Sequence, residues 1–220
     1  MPRSTAPGAR LTPAGFQEAT NVSRETLARL QIYADLLVKW QKAINLVGPD
    51  TIPDLWRRHF LDSAQLHPLI PPEARRVVDF GSGAGFPGLV LALMGDREIH
   101  LIESDARKIA FLREAARLTS APVVLHHGRI EQIQPFPVDV VTARALAPIT
   151  ALLGYTEPYL ALSEDRSCRC LFLKGRTAEQ ELTDAEKLWN MKAIRVPSSA
   201  GGEGVILILE GIHSADRQPC

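Results

Sequence analysis

The chain has 220 residues, of which 45% are hydrophobic and 23% charged: enough for one full globular domain and a small appendage. Lys+Arg and Asp+Glu both number 25, so the formal net charge is zero; composition argues against a generally basic nucleic-acid binder, and any such surface must be a local patch. Cys168, Cys170 and Cys220 form neither a disulfide framework nor a tetrahedral metal set, and no apolar run approaches the ~18 residues of a membrane span. With no apolar stretch behind Arg3 and Arg10, no secretory signal is expected, and the expected compartment is the cytoplasm.

Residues 1–20 hold Pro2, Pro7, Gly8, Pro13 and Gly15, with no acid before Glu18. They read as a mobile, slightly basic arm, either a plain tail or one that touches RNA. Ser23 is a helix cap, and Leu27, Leu30, Ala34 and Leu37, flanked by Tyr33, Trp40 and Ile44, make an apolar stripe over a helix to about Ile44. A second helix is expected from Pro53 to His67, before Pro68, Pro71 and Pro72 break the chain. Residues 21–72 are thus an N-terminal helical cap. Strands are expected at 76–80, 98–103, 123–125, 138–142, 170–174, 193–196 and 205–209, with helices at 86–94, 105–118, about 148–160 and 177–190 between them. This alternation predicts an α/β fold: a mostly parallel seven-stranded sheet wrapped by helices, with an antiparallel edge hairpin, over residues 73–212, and a tail at 213–220.

The first strand ends in Asp79-Phe80-Gly81-Ser82-Gly83-Ala84-Gly85-Phe86. Glycines between a strand and a helix allow a sharp bend and close approach of a ligand to the backbone. Gly83 to Gly88 also satisfies the G-x-G-x-x-G pattern of nicotinamide enzymes. From Gly81, however, which follows the apolar run directly, Phe86 falls where the third dinucleotide glycine belongs, and Asp79 adds a carboxylate. Both favour S-adenosylmethionine, which has a sulfonium and an amino-acid moiety but no phosphate. Glu103 at the end of the second strand can accept both ribose hydroxyls, and Ile130-Glu131 after the third can flank adenine and accept its amine. Arg144 ends the fourth strand near the expected reacting centre and is a candidate positioning residue; no nucleophile or general base is evident there. That absence suits an acceptor with a free lone pair, such as guanine N7, for which positioning supplies most of the catalysis. Arg57, Arg58 and His59 cluster on the cap, either as phosphate contacts or as a solvated face with an Arg58–Asp62 bridge at helical spacing. Lys174 and Arg176 are expected to touch RNA from the crevice side. His126-His127 lacks a third ligand, so no metal is expected.

Arg58-His59-Phe60-Leu61-Asp62-Ser63, the turn through Pro87-Gly88, Glu103-Ser104, Phe111-Leu112, Arg129-Ile130-Glu131, Ala143-Arg144-Ala145 and Leu173-Lys174-Gly175 together resemble the bacterial RsmG (GidB) family, in order and spacing, from about residue 27 to 209. The resemblance implies a class I, Rossmann-like methyltransferase fold and transfer of a methyl group from S-adenosylmethionine to N7 of a guanine in the decoding-region loop of 16S rRNA. It implies cofactor positions Gly81, Phe86, Ile130, Glu131 and Arg144, to which the turn and strand ends add Asp79, Gly83 and Glu103. The partner is then 16S rRNA, the small subunit or its assembly intermediate, and the chain is expected to act as a monomer without membrane or metal. The readings left beside this one are an NAD-dependent oxidoreductase and a non-catalytic nucleotide-binding module on ribosomes. The chain departs from the family's frequent pattern at Asn45-Leu46-Val47 and at Gly202-Glu203-Gly204.

Overall fold

A computed structural model describes residues 10–163 and 168–215. Residues 1–9 of the expected arm, residues 216–220 of the expected tail and Cys220 lie outside the described residues.

Seven strands form one sheet in the order β3-β2-β1-β4-β5-β7-β6. The strands β1 (Arg76–Phe80), β2 (Glu98–Glu103), β3 (Val123–His127), β4 (Val140–Arg144) and β5 (Arg169–Lys174) pair in parallel, and β6 (Trp189–Pro197) and β7 (Val205–Ser214) close one edge antiparallel. The central strands are almost wholly buried, which is why they read as continuous apolar runs. The edge strand β6 instead alternates in burial. The helical stretch expected to Asn190 ends earlier, α7 spanning Ala178–Ala185, because Trp189 already begins β6 with its ring turned into the core.

Helices cover both faces. On one lie α6 (Ile149–Leu160) and α7, enclosing a core of Val78, Phe80, Val141, Phe172 and Leu209. On the other lie α4 (Gly88–Met94) and α5 (Ala106–Thr119), and outside them the cap. The helix α4 is apolar throughout, and Leu89 to Leu93 are all at most 3% exposed, so it needs cover on every side. The cap supplies it through α2 (Arg24–Gln41), capped by the Ser23 hydroxyl, with Leu30, Tyr33, Ala34, Leu36 and Leu37 buried. A single hydrophobic cluster therefore runs from Phe16 and Leu30 in the cap to Val77 and Leu101 in the sheet.

Three further expectations about segment bounds are corrected. Residues Pro13–Thr20 are not a mobile arm but a helix, α1, whose Phe16 is fully buried against Trp56 and Phe60. The expected continuous helix over 53–67 is broken into a 3-10 turn Pro49–Asp54, a π-helical turn Trp56–Leu61, the single α-turn α3 (Asp62–Ala64) and a second 3-10 turn, His67–Leu69. The tail expected from 213 begins later, since β7 continues to Ser214 and pairs His213 with Asn190.

Candidate functional site

The strand order reverses between β1 and β4, and the loops at the carboxyl ends of the parallel strands surround a cleft of about 1470 Å³. Gly81–Ala84, Phe86, Glu103, Ile130, Glu131, Arg144 and Tyr155 line it, joined from the cap by Val47, Thr51, Arg58, His59 and Asp62, and from the sheet edge by Lys174, Arg176 and the β6–β7 tip.

The floor is the glycine turn. Gly81, Gly83 and Gly85 all have positive φ. Gly85, at φ +95°, is pressed from behind: a Cβ there would meet the Tyr33 hydroxyl at 2.8 Å and Leu89 Cβ at 2.9 Å. The Tyr33 hydroxyl, carried by the cap, donates to the Ala84 carbonyl, and its ring stacks on Phe86 with centroids 5.3 Å apart. Phe60 packs edge-on against both rings. The cap thus fixes the turn from below.

Asp79 does not face the ligand space, contrary to expectation. It is fully buried behind the turn, accepting from Thr142 Oγ1 at 2.8 Å and from the Gly88 amide at 3.2 Å. It thereby ties β1 to β4 and to the start of α4. Burial pushes its carboxyl up to about 6, against the pull of these donors and of Arg144. Glu103 does line the cleft, and the amides of Gly83 and Asp105 each donate to one of its oxygens at 2.8 Å. Those bonds hold the carboxylate in place, while its remaining lone pairs can accept from a ribose diol.

Arg144 is the cation beside the turn. Its guanidinium lies 4.9 Å from the Phe86 ring centroid, and its Nη1 is 3.4 Å from the Arg58 carbonyl and 3.8 Å from Asp62 Oδ2. Those contacts are long, so the fork keeps donors for an anionic group such as a carboxylate. After Arg144 the chain turns through Ala145 at φ 49°, which lays the Leu146 side chain over Gly81.

On the far wall Ile130 and Glu131 form a short 3-10 turn, Ile130–Gln132. Glu131 is exposed, and its charge raises the pKa of the nearby Tyr155 hydroxyl, with a smaller contribution from burial. Tyr155 escaped sequence reasoning because it lies on α6, remote from any motif.

Two residues expected to touch RNA are engaged within the protein. His59 is 7% exposed and cannot serve as a cation: burial, aided by Arg144 and Arg58, lowers its pKa to about 3. The Thr51 hydroxyl donates to the Gly48 carbonyl at 2.6 Å, so it must accept from His59 Nε2–H at 2.7 Å, which fixes the neutral tautomer. Lys174 lies in the cleft floor, only 6% exposed, and its Nζ is spent on Glu181 at 2.6 Å and the Ala147 carbonyl at 2.5 Å. Arg58 and Arg176 remain at the rim; Arg176 is 84% exposed and bridges to Glu203 on the β6–β7 tip at 2.6 Å. Of the two histidines considered for metal, His126 bonds instead to His100 at 2.8 Å and stacks on Phe136.

The family profile described as GidB, rRNA small subunit methyltransferase G, matches residues 26–206. The chain belongs to this family. It is 60% identical over 200 residues to ribosomal RNA small subunit methyltransferase G of Paramagnetospirillum magneticum, covering 91% of this chain and 96% of that one. It is 50% identical to the protein of the same name from Rhodospirillum rubrum, covering 93% and 100%. Among solved structures, an O-methyltransferase from Bacillus cereus in complex with SAH superposes with a TM-score of 0.53 at 15% identity, covering 90% of this chain and 97% of that one. That likeness concerns the fold, and it places the sheet among class I methyltransferases. The GidB membership retires the oxidoreductase reading. Among the described residues no helix is long and apolar enough to cross a membrane.

Proposed function

We propose that this chain is an S-adenosylmethionine-dependent methyltransferase acting on small-subunit ribosomal RNA, with N7 of a guanine in the decoding-region loop as the acceptor. The observation that carries the reading is one cleft at the switch point that unites the Gly81–Phe86 turn, the Glu103 carboxylate, Ile130-Glu131 and an Arg144 with donors to spare. These groups match the donor part for part. The glycine backbone admits the amino-acid moiety, Arg144 offers a fork to its carboxylate, Glu103 accepts from the ribose, and Ile130, Glu131 and Tyr155 flank the base. The bound cofactor supplies a methyl group made electrophilic by its sulfonium.

The chain's own contribution to the step is orientation. Guanine N7 carries an in-plane lone pair and no proton, so transfer needs an aligned acceptor in a fitted electrostatic setting. The titratable groups of the cleft suit that chemistry. His59 is held neutral with its Nε2–H spent on Thr51, Asp62 faces Arg144, and Asp79 is closed off behind the turn. A cleft of about 1470 Å³ exceeds the roughly 300–1,000 Å³ of a single-ligand pocket and leaves room for a base beside the donor. Arg58 and Arg176 at the rim are the proposed phosphate contacts.

With no net positive charge there is little excess for phosphate neutralisation. We therefore expect modest affinity for naked RNA and recognition of a shaped, partly protein-bound substrate by a monomer. Incubating the purified chain with isotopically labelled donor and small subunits, then mapping the RNA by mass, should locate 7-methylguanosine in the decoding loop. Labelling of protein but never of RNA would overturn the proposal, and equal activity on a short isolated hairpin would overturn the substrate preference.

A further inference from the structure

The Arg58-His59-Phe60-Leu61-Asp62-Ser63 segment bears a carboxylate that the proposed reaction leaves without a role. Helical spacing offers Asp62 to Arg58, yet the structure turns it to Arg144: Asp62 Oδ2 lies 3.8 Å from Arg144 Nη1, across the cleft from the cap to the end of β4. The other oxygen, Oδ1, accepts from Gln65 Nε2 at 2.9 Å and from Ser198 Oγ at 3.0 Å. Gln65 continues the chain, donating to Ser198 Oγ at 2.9 Å and accepting from the Ser199 amide at 2.7 Å and the Ser199 hydroxyl at 2.9 Å. Ser198 in turn closes the β6–β7 tip, accepting from the Ala200 amide at 3.1 Å while its own amide donates to the Gly204 carbonyl at 2.9 Å. The tip residues Ala200–Val205 form a rim of the cleft.

The geometry points to Asp62 as the positioning residue of Arg144: one carboxylate oxygen steers the guanidinium over the Phe86 ring, and the other is fixed by Gln65 and the Ser198 hydroxyl of the β6–β7 tip. The argument is one of orientation. A guanidinium held only by a ring face and a 3.4 Å carbonyl contact has rotational freedom about its long side chain, and a fixed anion removes it. The anion is itself fixed, because its Oδ1 has two donors from elements far apart in the chain. A single acid thus joins three parts of the cleft: the cap, the end of β4 and the hairpin rim. The inference rests on the reading of Arg144 as the donor's partner in the proposed reaction.

The test uses the full chain and titration calorimetry with S-adenosylhomocysteine, so that it needs no RNA. Asp62→Asn keeps an oxygen for Gln65 and Ser198 and removes the charge facing Arg144. The expected result is binding weakened about tenfold, because a guanidinium without its fixed anion must be ordered by the ligand, with cooperative unfolding retained. In an Arg144→Ala background the same substitution should cost no more than about twofold further, since the group it orients is gone. Wild-type affinity in Asp62→Asn, or losses that multiply in the double variant, would overturn the assignment. Should Asp62→Asn fail to fold, Ser198→Ala removes one of the donors on Oδ1 and should weaken binding about threefold; unchanged binding there overturns it equally. Steady-state turnover adds a second readout, the KM for the donor rising more than kcat falls. A wild-type chain that binds the probe but never methylates RNA refutes the proposed reaction and leaves the positioning result standing.

Discussion

The two walls of the cleft are built differently. The cap-side wall is an aromatic cluster of Phe16, Tyr33, Trp56, Phe60 and Phe86, four of them at most 2% exposed, cross-tied by the Tyr33–Ala84 bond and by Asp62, Gln65 and Ser198. The opposite wall is one 3-10 turn with Glu131 exposed and Tyr155 as its side-chain partner. In the proposed reaction the dense wall carries Arg144 and Phe86, where the methyl group must be aimed within a fraction of an ångström, and the sparse wall meets the adenine end, which only needs to be gripped. Order is concentrated where misplacement costs rate, and the binding end is left adaptable.

Substitutions in the two walls should therefore differ in kind. The largest effect is expected at Gly85→Ala, which sets a Cβ against Tyr33 and Leu89 at a left-handed position; urea unfolding should show a loss of about 2–4 kcal/mol together with loss of donor binding. A loss below about 1 kcal/mol would mean the turn is not braced by the cap.

Acid should act next, and on the dense wall alone. His59 has a folded-state pKa near 3 against an ordinary 6.5, so the unfolded chain takes up the proton first and His59's contribution to stability is lost as pH falls from 6.5 toward 3. Asp79 runs the other way: raised from 3.8 to about 6, it favours the folded chain as pH falls through that window. Each slope is at most about 1.4 kcal/mol per pH unit. Denaturation midpoints measured from pH 7 to 4 should therefore fall less steeply in His59→Gln and more steeply in Asp79→Asn than in wild type. Shifts of the same sign would refute the opposition.

Arg144→Ala should weaken S-adenosylhomocysteine binding by about 10–100-fold with the fold intact, whereas Glu131→Gln on the sparse wall should cost only about three- to fivefold. Calorimetry on both variants decides, and equal losses would erase the distinction. Smallest in stability, Tyr33→Phe should cost about 1 kcal/mol for the bond to Ala84 and should lower kcat more than it raises the donor KM.

The strands were legible from the sequence because their signal is local. Residues 76–80 and 98–103 are apolar runs bounded by turns, and β1 and β2 have those bounds. The glycine turn and Glu103 followed from the strand ends. The cap was half legible: the period of α2 is plain, while the break after Pro53 depends on Trp56 and Phe60 packing against Phe16, which spacing does not encode. Charges were the least legible. Arg58–Asp62 is good helical spacing, but Asp62 faces Arg144 instead; Lys174 sits at a strand end like a solvent-facing cation, yet Glu181 and Ala147 enclose it. His59 reads as a basic residue beside two arginines and is held neutral by burial, by Arg144 from the end of β4 and by Arg58. Arg144 and Glu181, the partners that decide these cases, come from other elements brought close by folding.

The central claim is that the transfer end of the cleft is preformed and the adenine end closes on the ligand. Amide hydrogen exchange with and without S-adenosylhomocysteine tests it most directly. The account predicts that amides at 82–89 and 59–64 are strongly protected in the free protein and change little, while those at 128–133 gain protection on binding. Fast exchange at 82–89 in the free protein, slowed only by the ligand, would contradict it.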